Sequence, residues 1–467
     1  MSFRFEEDTI CAISTPIGEG GIGIIKLSGP ESLSIARKLF RPKHPLDSDS
    51  LQSHRLYYGW ITDSATGDPV DEVLLSYLRA PRTYTREDVV EINCHSGYAA
   101  LNRIMEMVLE AGARLAEPGE FTRRAFLNGR IDLSQAEAII DVIRSRSQQS
   151  LLVATRCLHG DFHDKLLSWR ESLLSLQAEM EAHIDFSDDL DGDDSDSASL
   201  LMRLETELLM PLGLVLEHYE SGRVLREGLT IVLVGKPNVG KSSLLNALLG
   251  KDRAIVTPFP GTTRDVIEDT FILSGIQVRI LDTAGIRNEP DAIEAMGIER
   301  TIRSVADADV VLWLMDQSRP WSIEDDTVYQ SVSGSRHVIL LNKADLEPAL
   351  SAEDVRLKYG EASPVVRLSV FNPTDIENLR SFLKDSFLDQ PIEAGHSTMI
   401  PNLRQKECLK HAIESLKRAG DLLMAQSYGE LVSMEIEAAR RQLDSILGWE
   451  KDDELLDRIF SQFCIGK

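Results

Sequence analysis

The stretch LTIVLVGKPNVGKSS at residues 229–243 decides the fold of the central part of this chain. Its apolar residues 231–234 predict a buried parallel strand, which ends at the pattern G-x-x-x-x-G-K-S formed by Gly235, Gly240, Lys241 and Ser242. Residues 244–249 then predict a helix. In this setting the glycines let backbone N–H groups converge on phosphate oxygens, Lys241 adds a positive charge, and the Ser242 hydroxyl can bind Mg²⁺. We therefore expect a nucleoside triphosphate as the ligand.

A second motif, D-T-A-G at Asp282, Thr283, Ala284 and Gly285, follows a predicted strand over residues 278–281. Its aspartate lies at the carboxyl end of that strand. A carboxylate linked to Mg²⁺ and a sensor of the γ-phosphate belong at this position.

A third motif, N-K-A-D at Asn342, Lys343, Ala344 and Asp345, follows a predicted strand over residues 338–341. The Asp345 carboxylate can accept hydrogen bonds from N1–H and the exocyclic amine of guanine, whereas adenine offers no such pair. Ser369, after a predicted strand over residues 365–368, is a weaker fifth element. With GTTRD at residues 261–265, this order of motifs resembles the translation-factor-related GTPases and predicts GTP as the substrate.

Length and composition limit the other possibilities. The 467 residues suffice for about three domains, and no apolar run approaches the roughly 18 residues of a membrane span. Residues 1–10 are too charged for a signal peptide, so we expect a cytoplasmic protein with no membrane contact. The five cysteines show no C-x-x-C pairs, which favours a reducing compartment. A net charge of −25 disfavours broad binding of nucleic acid, so any contact with RNA needs a local basic patch or a partner's surface.

The N-terminal residues 1–125 predict an α+β domain. Strands are expected at residues 8–15, 23–27, 55–61, 72–78 and 87–94, with helices around residues 33–40 and 101–109. GEGGIG at residues 18–23 only superficially resembles a dinucleotide-binding motif, because a strand follows it, and a tight turn is favoured.

Helical patterns begin near Pro118. A capping box at Ser134 and Glu137 predicts a helix start, and apolar periodicity continues over residues 151–184 and 200–219. The acidic segment 185–196 favours a solvated loop over a calcium loop, because Ala198 stands where the bidentate glutamate belongs. Helices return after residue 392. The sequence therefore predicts residues 126–221 and 392–467 as one helical domain, with a G domain at 222–391 inserted into it after Ser221 and Gly222.

The hydrolytic machinery departs from that of small GTPases. Ile286 follows Gly285, where a glutamine usually orients the attacking water. Glu289, Glu294 and Glu299 are the carboxylates within reach by sequence. Asn238, with backbone carbonyls near residues 257–262, could hold a monovalent cation in place of an arginine finger, or could simply stabilise the phosphate loop.

Longer stretches identify a family resemblance. These stretches are DTICAISTPIGEGGIGIIKLSG, EDVVEINCHSG, PGEFTRRAFLNGRIDLSQAEAI, the G motifs, GIERT and the final C-I-G-K. Through them the sequence resembles the MnmE (TrmE) family of tRNA modification GTPases over essentially the whole chain. The resemblance implies an N-terminal domain that binds a tetrahydrofolate and mediates a homodimer, a helical domain, and an inserted Ras-like G domain that hydrolyses GTP with K⁺. It also implies an FAD-dependent partner, MnmG, in a complex of two copies each. Together they add an aminomethyl or carboxymethylaminomethyl group to C5 of the wobble uridine (position 34) of certain tRNAs.

The resemblance also assigns residues. Asn238, Thr257, Phe259 and Thr262 match the K⁺ ligands, and Ser242 and Thr263 match the Mg²⁺ ligands. Glu294 matches the carboxylate that orients water, with Arg264 and Asp265 in the catalytic group. The implied nucleotide contacts are Asn238, Val239, Gly240, Lys241, Ser242, Ser243, Thr257, Pro258, Phe259, Pro260, Gly261, Thr262, Thr263, Asp282, Thr283, Ala284, Gly285, Asn342, Lys343, Ala344 and Asp345.

The implied folate contacts are Lys26, Glu91, Arg130 and the terminal Lys467, for 5-formyl- or 5,10-methylene-tetrahydrofolate. Lys26 stands where arginine is common in the family and Arg130 where lysine occurs, so charge is kept while geometry changes. Cys464 matches a tail cysteine that is important for modification. A cluster of Arg123, Arg124 and Arg130 is expected to serve tRNA or folate.

The sequence leaves two other classes of GTPase open. A ribosome-assembly GTPase would share the G motifs, but should carry a basic RNA-binding module. A GTP switch without chemistry in its N-terminal domain would share the whole motif set.

Overall fold

A computed structural model describes residues 8–16, 18, 20–44, 51–185, 194–250, 268–282, 305–360, 363–388, 399–425, 429–450 and 452–467. The described residues form two compact units. The first contains those of 1–140, 158–193 and 414–467, and the second contains those of 141–157 and 194–413.

The N-terminal part is a sheet covered by helices. Its elements are β1 Ile10–Ile13, β2 Gly23–Ser28, α1 Ser32–Leu39, β3 Phe40–Pro42, β4 Arg55–Thr62, β5 Pro69–Leu78, β6 Val89–Cys94, α2 Tyr98–Glu110 and β7 Arg114–Leu115. The strand order is β3-β4-β5-β6-β2-β1-β7, and only β1 and β7 pair in parallel. Alternate side chains of the strands and the apolar faces of α1 and α2 share one core. The predicted α+β class is confirmed.

Some boundaries differ from the expected ones. β1 is shorter than predicted, β5 begins earlier at Pro69, and β6 begins at Val89. The glycine-rich segment connects two strands, as expected, and Ser96 Oγ donates to the carbonyl oxygens of Gly18, at 3.0 Å, and Gly20.

Helices fill the next part of the chain. They are α3 Glu120–Leu127, α4 Leu133–Arg144, α5 Gln148–His159, α6 Asp161–Asp185, α7 Asp194–Arg203, a π-helical stretch Leu204–Leu209, α8 Met210–Glu217 and α9 Tyr219–Glu227. The acidic segment falls largely on residues 186–193, outside the described part of the chain.

The predicted capping box of α4 is wrong by two residues. Gln135 N donates to Asp132 Oδ1 at 2.9 Å and Asp132 N donates to Gln135 Oε1 at 3.1 Å, while Ser134 lies inside the helix. Aspartate caps a helix as well as serine does, and glutamine three residues later completes the reciprocal pair. The true signature was therefore D-L-S-Q.

Ser221 and Gly222, which the sequence marked as the entry to the G domain, both lie within α9 Tyr219–Glu227. Gly222 is a packing residue: a Cβ there would stand 2.8 Å from Ile400 Cγ1. The domain boundary at residue 222 stays a prediction.

The central part is a parallel sheet with one antiparallel edge. Its elements are β8 Leu229–Val234, α10 Lys241–Leu249, β9 Glu268–Leu273, β10 Ile276–Asp282, β11 Val310–Asp316, α11 Ile323–Val332, β12 His337–Asn342, α12 Ala352–Tyr359, β13 Val365–Arg367 and α13 Pro373–Phe387. The order is β13-β12-β11-β8-β10-β9, and β9 alone runs antiparallel. All residues of β8, β11 and β12 are buried because helices cover both faces.

Three helices close the chain: α14 Leu403–Met424, α15 Gly429–Leu447 and α16 Asp453–Phe460. Within the first unit α6 packs against α15, where Arg170 Nε donates to Asp444 Oδ1 at 2.7 Å. Helices before and after the central sheet thus pack together within the first unit, and the single helical domain with an inserted G domain stays a prediction.

Candidate nucleotide and folate sites

The phosphate loop between β8 and α10 needs both of its glycines. Gly235 has φ +153°, and a Cβ there would stand 2.5 Å from Leu314 O. Gly240 has φ +106°, and a Cβ would overlap Asn342 Nδ2. Asn238, the expected K⁺ ligand, takes a left-handed conformation with φ +64° and is exposed. The loop therefore follows a path that only this spacing of glycines allows.

Lys241 is held inside the curl of this loop. Its Nζ donates to Gly235 O at 2.7 Å and to Lys236 O at 2.8 Å. Ser242 and Ser243 follow in the first turn of α10 and are exposed. The ammonium, the N-terminus of α10 and the Ser242 hydroxyl thus occupy one place, which suits a Mg²⁺-bound phosphate.

The loop after β12, which carries the motif expected to recognise the base, is tied to the phosphate loop. Buried Asn342 donates from Nδ2 to Val239 O at 2.7 Å and accepts from Val370 N at 3.2 Å. Asp345 is exposed, and its Oδ1 accepts from Ser369 Oγ at 2.6 Å. Ser369 therefore orients the carboxylate expected to recognise guanine.

Two anchors of this site were not predicted from the sequence. Lys343, with φ +65°, donates from Nζ to Asp316 Oδ2 at 2.6 Å. Burial would raise the pKa of Asp316, but the hydrogen bonds from Lys343 and Ser318 outweigh it and lower that pKa. Asp316 could have been found as the last residue of β11, because it pairs with Asn342 in the parallel register.

The second anchor holds the start of the phosphate loop. Lys236 Nζ donates to Asp325 Oδ2 at 2.7 Å and to Ser322 Oγ at 3.0 Å, which are the two capping residues of α11. Asp325 is buried, and its sequence signal was the S-x-x-D capping box.

Several expected residues lie outside the described part of the chain. They are Thr257, Pro258, Phe259, Pro260, Gly261, Thr262, Thr263, Arg264, Asp265, Thr283, Ala284, Gly285, Glu289, Glu294 and Glu299. Asp282 ends β10, as predicted. Among the described residues no three His, Cys, Asp or Glu side chains are grouped to hold a metal.

A second constellation lies on the N-terminal sheet. Lys26 of β2 and Glu91 of β6 are cross-strand partners, and Lys26 Nζ stands 3.9 Å from Glu91 Oε1. The same Nζ lies 5.6 Å from the ring centres of both Tyr84 and Phe121. The lysine is thus partly buried against two aromatic rings.

Arg130 reaches the same tyrosine. Its guanidinium carbon lies 4.7 Å from the centre of the Tyr84 ring, and the Tyr84 hydroxyl hydrogen-bonds Thr122 Oγ1 at 2.9 Å. Tyr84 therefore contacts both Lys26 and Arg130, which are far apart in sequence.

The C-terminal tail completes this constellation. Ser14 Oγ donates to Gly466 O at 3.2 Å, and Gly466, with φ +90°, packs so closely that a Cβ would stand 2.7 Å from Ile13 O. Burial lowers the pKa of Lys26; Glu91 opposes this shift, and nearby Lys467 adds to it. All four expected folate contacts therefore meet in the first unit, and Cys464 is exposed in the same tail.

Arg124 cannot take the role in tRNA or folate binding that was expected of the Arg123, Arg124 and Arg130 cluster. Arg124 is 4% exposed and pairs with Asp8 at 2.7 Å, with Glu120 at 3.0 Å and with Glu87 at 3.3 Å. Arg123 pairs with Asp457 at 2.8 Å. Both guanidinium groups are paired with carboxylates of the protein itself, as a buried cation must be. Of the three arginines in that cluster, only Arg130 is exposed.

The parallel sheet, its phosphate loop after β8 and its N-K-A-D loop after β12 define a P-loop guanine nucleotide-binding protein. Family models match as "MnmE helical domain" over residues 133–464 and as "GTP-binding protein TrmE N-terminus" over residues 9–130. The chain belongs to the MnmE family of tRNA modification GTPases, and it is a GTP hydrolase.

Relatives of that name match along the full length. The tRNA modification GTPase MnmE of Syntrophobacter fumaroxidans is 60% identical over 471 residues, covering 100% of both chains. That of Carboxydothermus hydrogenoformans is 44% identical, covering 99% of this chain and 100% of its own. A crystal structure of an Aquifex aeolicus Era variant bound to GDP and AlF4⁻ matches at 27% identity and TM-score 0.27, covering 40% of this chain and 66% of its own. Of the helices described here, none has the length and apolar character needed to cross a bilayer.

Proposed function

We propose that this GTPase hydrolyses GTP in a K⁺-dependent way and, with the FAD-dependent partner MnmG, modifies C5 of the wobble uridine of certain tRNAs. The added aminomethyl or carboxymethylaminomethyl group takes its one-carbon unit from a tetrahydrofolate. The observation that carries the proposal is that Lys26, paired with Glu91, and Arg130 both lie against the Tyr84 ring, and that Lys467 is near enough to lower the pKa of Lys26.

These residues fit the chemistry of a folate. The 2-amino-4-oxo edge of a pterin presents two N–H donors that a carboxylate such as Glu91 can accept, and Lys26, 3.9 Å from Glu91, can donate to the 4-oxo group of the same edge. The glutamate end carries carboxylates that match the other cations, Arg130 and Lys467. Tyr84 and Phe121 offer aromatic surface. In a chain with net charge −25, Lys26, Arg130 and Lys467 in one part of the fold favour an anionic ligand, because Glu91 balances only one of the three charges. A bound tetrahydrofolate supplies a one-carbon unit at the formyl or methylene level.

For GTP hydrolysis we assign K⁺ to Asn238 with Thr257, Phe259 and Thr262, and Mg²⁺ to Ser242 and Thr263. Glu294 orients the attacking water, with Arg264 and Asp265 beside it in the catalytic group. The left-handed, exposed Asn238 supports the cation assignment, because its amide oxygen is available at the rim of the phosphate loop. Ile286 supports the role of Glu294, because it cannot replace the usual glutamine.

A homodimer through the N-terminal residues 1–125 is supported by an exposed apolar strip. Leu56, Tyr58 and Trp60 alternate along β4 and so share one face of the sheet with Leu74, the cross-strand partner of Tyr58. Leu56 is 65% exposed and Leu74 43%, which is unusual for neighbouring apolar residues on a sheet face. We propose a second copy of the chain as the occupant.

The remaining assignments are also proposals. Residues 126–221 and 392–467 form the helical domain and residues 222–391 the inserted G domain. MnmG joins as a complex of two copies each with tRNA, in the cytoplasm, where the five cysteines would stay reduced; none of them forms a disulfide in the structure. Membership of the MnmE family favours tRNA modification over ribosome assembly.

Titration with 5-formyl-tetrahydrofolate tests the proposal and separates it from a GTP switch without folate chemistry. We expect saturable binding to the full chain, and Lys467→Gln should weaken it roughly 10- to 100-fold because one charge-assisted hydrogen bond is lost. Lys417→Gln, on the exposed side of α14, is the control and should keep the original affinity. Absence of saturable binding, or equal affinities for all three proteins, would refute the folate assignment.

A further inference from the structure

A cationic cleft lies beside the aromatic residue of the folate constellation. It has a volume of about 460 Å³, and His54, Arg82, Tyr84, Arg86 and Arg130 are among its lining residues. Tyr84 and Arg130 line this cleft and also belong to the folate constellation, so the cleft continues from the expected folate site. His54, Arg82, Arg86 and Arg130 are all exposed.

The three arginines of this cleft carry no ion pair to any described carboxylate. Arg86 Nη1 donates to Asn128 O at 2.9 Å, and Arg130 stacks on Tyr84. His54 Nε2 lies 3.1 Å from Arg82 O, and this hydrogen bond holds the backbone of the loop rather than the guanidinium. The guanidinium of Arg82 therefore forms no ion pair with an acidic residue in the described part of the chain.

The two acidic residues of the same loop do not neutralise them. Glu87 accepts from Ser28 Oγ at 2.7 Å and pairs with Arg124. Asp88 accepts from Tyr77 OH at 3.0 Å and from Ala80 N at 2.9 Å. In a chain with 75 acidic and 50 basic residues, three neighbouring arginines without carboxylate partners mark an anion site.

We propose that this cleft binds the γ-linked glutamate tail of a polyglutamylated tetrahydrofolate; this inference rests on the proposed function. Each added glutamate brings one carboxylate, and the planar fork of a guanidinium matches a carboxylate with two parallel hydrogen bonds. Arg130 lies where the tail leaves the folate constellation, and Arg82 and Arg86 receive the carboxylates that follow.

The size of the cleft favours this ligand over RNA phosphates. About 460 Å³ is within the range of roughly 300–1,000 Å³ typical of small-molecule sites. Sequence-independent contact with RNA instead follows a long basic groove, which the net charge of −25 opposes.

The test compares the monoglutamate and the tri-γ-glutamate of 5-formyl-tetrahydrofolate by calorimetric titration of the full chain. We expect the triglutamate to bind about tenfold more tightly, which corresponds to ~1.4 kcal/mol. The double variant Arg82→Gln, Arg86→Gln should lose most of this gain. The single variant Arg82→Gln should lose part of the tenfold gain. This variant leaves Arg86 in place, so its strained backbone, with φ +59°, is not disturbed. Arg41→Gln, an exposed arginine of β3, is the matched control and should keep the tenfold gain.

Each other outcome contradicts the inference. If neither folate binds, the proposed function fails and this inference fails with it. If both bind equally well, the tail site alone is wrong. If the double variant keeps the gain but loses affinity for tRNA, the cleft is an RNA site.

Discussion

Replacing Asp345 by asparagine is expected to change the base preference of the nucleotide site from guanine to xanthine. The Asp345 carboxylate is oriented by Ser369 Oγ, 2.6 Å from Oδ1, and its acceptor oxygens match the two N–H donors of guanine. Asparagine keeps one acceptor but places an amide donor against the exocyclic amine. Hydrogen bonds to a charged group contribute about 1.5–3 kcal/mol each, so GTP should bind roughly 10²–10⁴-fold more weakly.

The same exchange should improve binding of xanthosine triphosphate, whose C2 carbonyl accepts from the new amide. Nucleotide affinities measured with fluorescent analogues check both effects, and Ser369→Ala is a useful companion because it frees Asp345 without changing its charge. Its loss should be smaller, about tenfold or less, since one neutral hydrogen bond contributes ~0.5–1.5 kcal/mol. Unchanged GTP affinity in Asp345→Asn would place the base elsewhere.

Replacing Glu294 by alanine is expected to abolish GTP turnover and leave nucleotide affinity intact. Glu294 is proposed to orient the attacking water, and loss of such a group typically costs 10²–10⁴-fold in rate. The proposed cation at Asn238 adds a second expectation: turnover of the wild type should be much faster in KCl than in NaCl at equal ionic strength. The measurement is phosphate release under saturating GTP.

Glu299→Ala is the matched control for this variant, because it removes a carboxylate five residues further along the same segment. It should retain most of the turnover. Equal rates in K⁺ and Na⁺ would remove the cation from the mechanism. A fully active Glu294→Ala would assign the water to another residue.

Local sequence motifs predicted the strands and loops that carry the candidate nucleotide site. The strand, the two glycines, Lys241 and the N-K-A-D loop all follow from short-range spacing, and the structure places Ser369 against Asp345 as the fifth element suggested. Asp316 and Asp325 were missed because their roles depend on neighbouring strands and helices. The cap of α4 was misplaced since serine and aspartate, two residues apart, are equally good caps.

The folate constellation could not have been assembled from residue patterns alone. Lys26 and Lys467 are at opposite ends of the chain, and only the packing of Gly466 on the end of β1 brings them together. Family resemblance supplied those residues, whereas burial decided against Arg124. The arginines of the cleft were visible as R-T-Y-T-R at residues 82–86, but nothing in the sequence showed that they are left without carboxylate partners.

The central claim is that a one-carbon unit held at this folate constellation reaches the wobble uridine. The direct measurement is mass spectrometry of wobble nucleosides after reaction of the chain with MnmG, FAD, GTP, K⁺, unmodified tRNA, an amine donor (ammonium for the aminomethyl product, glycine for the carboxymethylaminomethyl product) and 5,10-methylene-tetrahydrofolate carrying ¹³C in its methylene group. We predict a modified uridine one mass unit heavier, with the label in the group on C5, and loss of that product with Lys467→Gln. A modified uridine without ¹³C would contradict the account.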